Sequence, residues 1–372
     1  MRRPLNRFTR RIYVAATRMN DGKTTTCLGL FHALRTRTDN VGFIKPIGQR
    51  FVEVDGFRID EDSVLLDRIF QTRVPLDAMS PIAVDSTFTR RYLDDPAGLH
   101  PELVDQLSRA FDRAAYLKDY IIIEGTGHAG VGSVFDLSNA RVANLLDAKA
   151  ILVARGGIGS PVDEIAINKA LFDKEGVEVI GAVLNKVVPE KADLVRTYAG
   201  KALERMGVPL LGVVPSEELL ASPTLYQIAR SLRGQWLIGR ETGENRRVGR
   251  VVIGAMTPQT LMDLLHPDTL LITPGDREEL LLTITSQTDV RGESPIAGIV
   301  LTRGLTPSRL MLDMLQKANI PVMLADGESY EVASRINTMT VKTRPGDTEK
   351  INLIRRTIQA NVDLDRICES FT

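Results

Sequence analysis

The stretch that decides the fold is Ile12-Tyr13-Val14-Ala15-Ala16, followed after a short polar loop by Asp21-Gly22-Lys23-Thr24-Thr25-Thr26. An apolar strand, a loop ending in Gly-Lys-Thr and then an amphipathic helix predict a P-loop. The N–H groups of such a loop and of the first helical turn surround nucleotide phosphates, and the helix N-terminus adds positive potential. The sequence therefore predicts a phosphate site here.

Particular side chains of this loop have expected roles. Lys23 is expected to reach the β- and γ-phosphates of ATP, and Thr24 to place its hydroxyl on Mg²⁺. The leading glycine of the usual G-x-x-x-x-G-K-[ST] pattern is replaced by Thr17. The alternative interpretation is an ordinary strand-to-helix turn with a stray lysine. The expected nucleotide-binding set also contains Thr17, Asn20, Asp21, Gly22 and Thr25.

Composition narrows the classes of function. A chain of 372 residues has room for about two domains. Its 47 basic and 47 acidic residues balance, so no overall field favours nucleic acid or an anionic membrane. No run of about 18 apolar residues occurs, and two cysteines, Cys27 and Cys368, cannot form a disulfide framework. These features predict a cytoplasmic protein without a membrane span.

Strand-like and helix-like segments alternate along the chain. Near-continuous Ile, Val and Leu runs indicate strands buried on both faces, as in a parallel sheet covered by helices on either side. A second series of such segments begins near residue 246 and predicts a smaller α/β domain. The predicted divisions are 1–218 for a P-loop domain, 219–245 for a Gly-interrupted linker, 246–345 for the second domain and 346–372 for a helical tail.

Charged residues follow two of the early segments. Lys45 ends the second predicted strand, where it would meet a phosphate or a substrate carboxylate, because the carboxyl ends of parallel strands meet at the ligand crevice. A solvated lysine is the alternative. Asp60-Glu61-Asp62 precedes a helix, so one carboxylate can cap that helix and another can approach Mg²⁺. Asp60 is assigned to the metal.

A buried acid is predicted at the end of another strand. Ile121-Ile122-Ile123 delivers Glu124 in the Walker-B manner, with Glu in place of Asp. Burying a carboxylate costs several kcal/mol unless a cation or donors meet it, which favours a metal role. Gly125 then allows backbone to approach the phosphates. Lys23, Lys45 and Glu124 are the expected catalytic groups, and Thr24, Asp60 and Glu124 the expected magnesium ligands.

The strand over residues 177–184 ends in Asn185-Lys186. An asparagine at this position can pair with adenine while the lysine stem covers the ring. It can equally form a turn, because Asn tolerates left-handed backbone.

With these motifs the chain resembles known families. Its first 218 or so residues are similar to the dethiobiotin synthetase-like P-loop proteins, and the remainder resembles the DRTGG domain; together they resemble the N-terminal region of long bacterial phosphotransacetylases. The first resemblance rests on Thr17–Thr25, Val41–Pro46, Asp60, Ile123–Gly125, Asn185-Lys186 and Leu211–Pro215. The second rests on Val252–Met256, Leu271–Arg277 and Ala297–Gly304.

The resemblance implies Mg-ATP binding and leaves several functions open. One is a regulatory or metabolite-sensing module with slow ATP hydrolysis, acting on a small metabolite or a protein partner. Another is an ATP-dependent ligase that activates a carboxylate or carbamate. A third, a dimeric ATPase switch, would need Arg18 at a subunit interface. Behind Lys45-Pro46, Ile47-Gly48-Gln49-Arg50 departs from the synthetase pattern, so the resemblance supports the ATP-binding elements better than the substrate-binding ones. The resemblance of the second half to the DRTGG domain favours the regulatory interpretation. A homo-oligomer is expected, because both domains present sheet edges.

Overall fold

The structure is a computed structural model that describes residue 6 and residues 8–288 and 294–372. The chain divides into two compact units. The first unit combines Met1–Ser216 with Arg344–Thr372, and the second unit is Glu217–Thr343. The second unit is therefore inserted in the sequence of the first. This arrangement was not anticipated, since residues 346–372 were expected to form a separate helical tail.

A six-stranded parallel sheet forms the centre of the first unit, in the order β10-β9-β8-β1-β7-β2. Two short two-stranded sheets, β3 with β6 and β4 with β5, lie outside it. The strands are β1 (Arg10–Ala16), β2 (Val41–Ile44), β3 (Ile47–Gly48), β4 (Phe51–Val54), β5 (Phe57–Asp60), β6 (Ile82–Ala83), β7 (Tyr120–Glu124), β8 (Lys149–Arg155), β9 (Val179–Val187) and β10 (Leu210–Pro215).

Helices flank this sheet, which confirms the expected α/β architecture with a parallel sheet. Continuous apolar runs form the central strands because both of their faces are covered: every residue of β7 is buried, as are Ile12–Ala16 of β1. The helices that precede the second unit are α1 (Lys23–Arg35), α2 (Glu61–Phe70), α3 (Leu76–Met79), α4 (Phe88–Asp94), α5 (Pro96–Ala114), α6 (Asn139–Leu145), α7 (Gly159–Lys174) and α8 (Ala192–Arg205).

Two further helices, α16 (Thr348–Asn361) and α17 (Leu364–Glu369), complete the first unit. Helix α16 packs on α1 so closely that a Cβ atom added at Gly29 would lie 2.3 Å from Cβ of Ile358. Behind α16, Val362 bridges Gly212 of the edge strand β10, and the N–H of Asp363 donates to the Leu211 carbonyl at 2.8 Å. The returning chain thus covers part of a sheet edge that would otherwise stay open.

The second unit is built on its own five-stranded sheet, in the order β11-β15-β14-β13-β12, with β11 antiparallel. Apolar clusters cover both faces of this sheet. Its strands are β11 (Gln235–Ile238), β12 (Arg250–Ile253), β13 (Thr269–Pro274), β14 (Gly298–Thr302) and β15 (Val322–Leu324). Its helices are α9 (Glu218–Ala221), α10 (Leu225–Leu232), α11 (Arg240–Gly243), α12 (Pro258–Met262), α13 (Glu278–Ser286), α14 (Arg309–Lys317) and α15 (Ser329–Thr338).

Residues 219–245, expected to be a linker, differ from that expectation. They contain β11 and three helices, of which α10 is well formed. Thr224 and Gln227 make a reciprocal capping box at its start, and Leu225 and Ile228 are fully buried in the core of the second unit. The glycines at 234, 239 and 243 lie in turns and a short helix around β11 and do not interrupt the domain.

Within the described residues, none of the helices combines the length and the apolar character needed to cross a bilayer.

Candidate functional site

The P-loop turn leads from the end of β1 into α1. Gly22 precedes the helix with φ 104°, a left-handed conformation that disfavours other residues, and a Cβ atom there would lie 2.0 Å from Nδ2 of Asn185. No side chain caps α1, and its first backbone bond runs from Thr26 N–H to the Gly22 carbonyl at 2.9 Å. The N–H groups of Lys23, Thr24 and Thr25 therefore have no partner within the helix and can meet an anion.

The loop is fastened by side chains from other strands. Asn185, at the end of β9, donates from Nδ2 to the Asp21 carbonyl at 2.8 Å, and its Oδ1 accepts the N–H of Lys186 at 2.9 Å. Lys186, left-handed at φ 57°, donates from Nζ to the Asn20 carbonyl at 2.6 Å. Both residues thus hold the loop in shape, and the expected pairing of Asn185 with adenine stays a prediction.

Thr17 stands where the usual pattern has its first glycine, and its hydroxyl takes part in the loop's own hydrogen-bond network. Its Oγ1 lies 3.0 Å from Oδ2 of Asp21 and 3.1 Å from Oε2 of Glu164. The same Asp21 oxygen accepts the backbone N–H of Arg18 at 2.8 Å. Asp21 therefore stabilises the loop by accepting hydrogen bonds from both Thr17 and Arg18. The side chain of Arg18 is 68% exposed and pairs with Glu164 at 2.6 Å.

Glu124 faces the start of α1 across the site. Its Oε1 accepts the hydroxyl hydrogen of Thr24 at 2.8 Å, and the residue is 1% exposed. Strand β7 pairs directly with β1, with Glu124 opposite Val14, which brings the acid to the same edge of the sheet as the P-loop. The structure thus brings together Thr24 and Glu124, two of the residues that the sequence analysis assigned to magnesium, and the metal role itself stays a prediction.

Lys45 follows β2 and is buried, so the solvated alternative does not apply. Its ammonium is shared by three carboxylates: it lies 3.0 Å from Oδ1 of Asp60 and 3.7 Å from Oε1 of Glu124, and it forms a close ion pair with Asp62. The sequence analysis singled out Lys45, Asp60 and Glu124 one at a time. It did not indicate that the acids would gather around the lysine.

A hairpin that sequence reasoning missed delivers Asp60. Strands β4 and β5 are antiparallel and joined at Asp55-Gly56, with φ values of 51° and 80°. An Asp-Gly pair between strand-forming residues is a signal for such a turn and could have revealed it. At the end of β5, Asp60 caps α2, because its Oδ1 accepts the N–H of Asp62 at 2.9 Å. The same side chain therefore caps a helix and pairs with Lys45.

Two asparagines organise the loop after β7 and were also missed. Asn139 Oδ1 accepts the Tyr13 hydroxyl at 2.8 Å and the Thr126 N–H at 3.0 Å, and its Nδ2 donates to the Thr126 carbonyl at 2.7 Å. Asn168 Oδ1 accepts the Ala129 N–H at 2.8 Å. Gly125 sits against Asn139 and Tyr13. No local sequence signal identifies these tertiary contacts.

Burial controls the protonation of the site. Burial raises the pKa of Glu124 to about 7, against the lowering effect of Lys45, and burial likewise raises the pKa of Asp60. Burial lowers the pKa of Lys23, partly offset by Glu124. For Lys45, burial works to lower the pKa, but the carboxylates of Asp62, Glu124 and Asp60 together raise it. The lysine therefore stays charged while Glu124 is poised to lose or gain a proton near neutral pH.

The residues fit a magnesium ion that also binds phosphate. Glu124 Oε2 and Asp60 Oδ2 are buried and have no hydrogen-bond partner among the described residues. Mg²⁺ prefers hard oxygen ligands and usually combines one or two carboxylates with water and substrate phosphates. In the described part of the chain, no three or more His, Cys, Asp or Glu side chains are arranged to hold a metal by themselves. The orphaned oxygens therefore suit an ion that arrives with a nucleotide.

We expect a pH-dependent contribution of Glu124 to stability. Because folding raises its pKa from 4.5 to about 7, the folded state holds the proton more tightly. The contribution of Glu124 to the free energy of unfolding is therefore fully present below pH 4.5 and is lost as the pH rises to about 7. The parent's free energy of unfolding, relative to that of Glu124→Gln, should fall across this range by a few kcal/mol at most, roughly 1.4 per pH unit. Urea titrations of both proteins at several pH values measure the difference, and a constant difference would contradict the shift.

In the second unit, the turn Gly275-Asp276-Arg277 leads from β13 into α13. Asp276 does not cap α13; the cap position is Arg277, which gives no side-chain cap. The Arg277 guanidinium instead donates to the carbonyls of Gly254 at 3.3 Å and Met256 at 3.1 Å, and pairs with Glu279. Arg277 therefore fastens the loop after β12, so its guanidinium is already engaged within the unit.

Comparisons with known proteins agree with a P-loop domain that is accompanied by a second domain. A family model described as an AAA domain matches residues 10–224, more than half of the chain, and a model of the DRTGG domain matches residues 227–339. Phosphate acetyltransferase of Pseudomonas aeruginosa is 28% identical over 370 residues, which cover 95% of this chain and 51% of that protein. The enzyme of the same name from Synechocystis is 23% identical, over 97% of this chain and 51% of that protein.

This chain spans about half the length of these curated relatives. Among solved structures, the septum site-determining protein MinD of Pyrococcus horikoshii, complexed with Mg-ADP, is 21% identical with a TM-score of 0.35, and the match covers 57% of this chain and 84% of that one. The P-loop geometry and the family matches lead to one conclusion. The chain belongs to the AAA domain family of P-loop proteins and carries a DRTGG domain.

Proposed function

We propose that the first unit binds Mg-ATP and that the protein is regulatory or metabolite-sensing, with slow ATP hydrolysis. The observation that carries this proposal is the hydrogen bond from Thr24 to Glu124 at 2.8 Å, beside a buried carboxylate oxygen that has no hydrogen-bond partner among the described residues. This pair stands at the uncapped start of α1. An anionic nucleotide and its cation would satisfy both the free N–H groups and the free oxygen.

Each residue has a role in this proposal. The N–H groups of the first turn of α1 and the Lys23 ammonium bind the phosphates, while Thr24, Glu124 and Asp60 hold Mg²⁺ directly or through water. When bound, Mg²⁺ would neutralise part of the negative charge of the phosphates. Because burial raises the pKa of Glu124 to about 7, binding the cation should release protons from the site near neutral pH.

The ion pairs already made by Lys45 favour a regulatory function over a ligase. A ligase of this type needs a cation free to receive a substrate carboxylate, but the Lys45 ammonium already contacts Asp60, Asp62 and Glu124. One observation supports the ligase as a second candidate: Lys45 lies at the carboxyl end of its strand, where ligands of such sheets bind. If Mg²⁺ drew the carboxylates away, the Lys45 ammonium would be free to bind a substrate carboxylate. Slow hydrolysis fits the first candidate, and substrate-dependent turnover fits the second.

The second unit is proposed to carry the regulatory or assembly role. Relatives that share both domains are named phosphate acetyltransferases, so a partner of that kind, or a small metabolite, is the proposed target of regulation. We further propose that the protein acts as a homo-oligomer in the cytoplasm and binds no nucleic acid, since its 47 basic and 47 acidic residues leave no net charge.

Calorimetry with Glu124→Gln tests the metal assignment. The parent should bind ATP more tightly when Mg²⁺ is present, and the variant should lose most of that gain because the amide is nearly isosteric but uncharged. Heats measured in two buffers of different ionisation enthalpy should show proton release for the parent alone. If the variant shows the parent's magnesium dependence, Glu124 has a structural role and the assignment fails.

A screen for ATP consumption separates the two candidates. The full chain is incubated with Mg-ATP alone and with pools of small metabolites, and Lys23→Ala provides the blank. Slow turnover that no pool accelerates supports the regulatory function. Turnover that depends on one metabolite, and stops in Lys23→Ala, supports the ligase instead.

A further inference from the structure

A second cavity of the first unit lies away from the P-loop. Its lining comes from the residues that precede β2 and β7, from the end of α1 and from the turn after α2, and its volume is about 190 Å³. The lining residues are Arg35, Asp39, Asn40, Thr72, Arg73 and Lys118. This cavity takes no part in the site described above.

Its location is the opposite end of the sheet. The P-loop follows the carboxyl end of β1, whereas Asn40 and Lys118 precede the amino ends of two parallel strands. Helix α1 joins the two places, since it begins at Lys23 and its last residue is Arg35. Thirteen helical residues rise by roughly 20 Å at 1.5 Å each. A ligand of one site therefore does not touch the other.

The cavity is lined by more positive than negative charge. Arg35 is paired with Asp39, at 3.6 Å between Nη2 and Oδ1. Asp39 is the one acidic residue of the lining, and its side chain is 93% exposed. Lys118 donates to the Thr72 carbonyl at 3.0 Å, a neutral acceptor. Within the described residues, neither Lys118 nor Arg73 has an ion pair, so two cations remain without a counter-charge.

Arg35 and Arg73 are both close enough to Lys118 to repel its charge. Burial lowers the pKa of Lys118, and the charges of Arg35 and Arg73 lower it further. Arg73 lines this cavity with a left-handed backbone, at φ 55°, which is costly for a residue other than glycine. An anion placed between these side chains would offset the repulsion and supply the counter-charge that Lys118 and Arg73 lack.

We propose that this cavity binds a small oxyanion of the phosphate or carboxylate class, separately from the nucleotide. Arginine presents a planar fork of donors that matches such oxygens in pairs, and lysine adds a compact charge. The volume of about 190 Å³ is below the range of roughly 300–1,000 Å³ typical of pockets for drug-sized ligands. It suits inorganic phosphate, pyrophosphate or a short dicarboxylate better than a nucleotide.

Titration calorimetry of the full chain tests the proposal, with inorganic phosphate, pyrophosphate and succinate as the probes. The Lys23→Ala background removes the P-loop lysine, so that phosphate binding there does not mask the second site. In this background at least one probe should bind saturably at one site per chain. Adding Arg73→Gln should weaken that binding at least tenfold, since a hydrogen bond to a charged group contributes about 1.5–3 kcal/mol. Comparing the probes distinguishes a phosphate from a carboxylate ligand.

Arg196→Gln, at an exposed position of α8, is the charge-matched control and should leave the binding unchanged. Lys118→Gln is the second test variant and should weaken binding as Arg73→Gln does, with circular dichroism confirming that each variant is folded. Absence of saturable binding by all three probes would overturn the proposal. Equal weakening by Arg73→Gln and Arg196→Gln would overturn it as well, because the effect would then be one of net charge. Neither result bears on ATP binding, which depends on Lys23.

Discussion

Replacing Lys23 with alanine is expected to weaken Mg-ATP binding roughly 10- to 150-fold, because a hydrogen bond to a charged group contributes about 1.5–3 kcal/mol. Lys23 is the first residue of α1, beside the N–H groups of the first turn. Its ammonium is largely buried, as its lowered pKa reflects, and a desolvated cation interacts strongly with phosphate. Calorimetry of both proteins with Mg-ATP measures the change.

The matched control for this prediction is Lys201→Ala, which removes an exposed lysine from α8. It should bind Mg-ATP as the parent does. Equal affinity of the parent and Lys23→Ala would show that the turn is an ordinary strand-to-helix connection. The proposed function would then fail, whatever the result at the cavity near Arg73.

Replacing Ile358 with alanine is expected to lower the free energy of unfolding of the first unit by about 2–5 kcal/mol. Ile358 is 1% exposed and packs directly on Gly29 of α1. The protein has a single tryptophan, Trp236, which lies in the second unit. Far-ultraviolet circular dichroism should therefore show an earlier transition in urea, while tryptophan fluorescence should show the second unit unfolding as before.

Two further variants sharpen this second prediction. Ile167→Ala removes the same atoms from a side chain that is 72% exposed on α7, and it should change stability by about 0.5 kcal/mol or less. Gly29→Ala should destabilise the parent, because its Cβ atom would overlap Ile358, but should be tolerated in the Ile358→Ala protein. Additive effects of the two substitutions would contradict the packing of α16 on α1.

Local sequence signals were sufficient for most of the first unit. Apolar runs predicted the central strands. Gly22-Lys23-Thr24 and Glu124 were each singled out from the sequence, and adjacent parallel strands bring them to one edge of the sheet. Other signals were present but missed. The Asp55-Gly56 turn marks the hairpin before Asp60, and the capping box at Thr224 marks α10 inside the expected linker.

Contacts between distant segments could not be predicted from the sequence. The ion pair of Arg37 with Asp365 of α17 joins residues 328 positions apart, and nothing local in α17 indicates that it belongs to the first unit. The same holds for Lys45, whose position was predicted but whose three partners were not. A single sequence reports periodicity and turns, whereas the choice among several carboxylates depends on tertiary packing.

The return of the chain to the first unit has a consequence for biosynthesis. A ribosome completes β10 and then makes all of Glu217–Thr343 before α16 exists. At about 5–20 residues per second this delay is on the order of ten seconds. During this delay, the face of α1 around Gly29 is not yet covered by α16. The β10 edge at Gly212 likewise lacks its bridge to Val362. We expect the packing around α1 and the β10 edge to be completed only after the second unit has been synthesised.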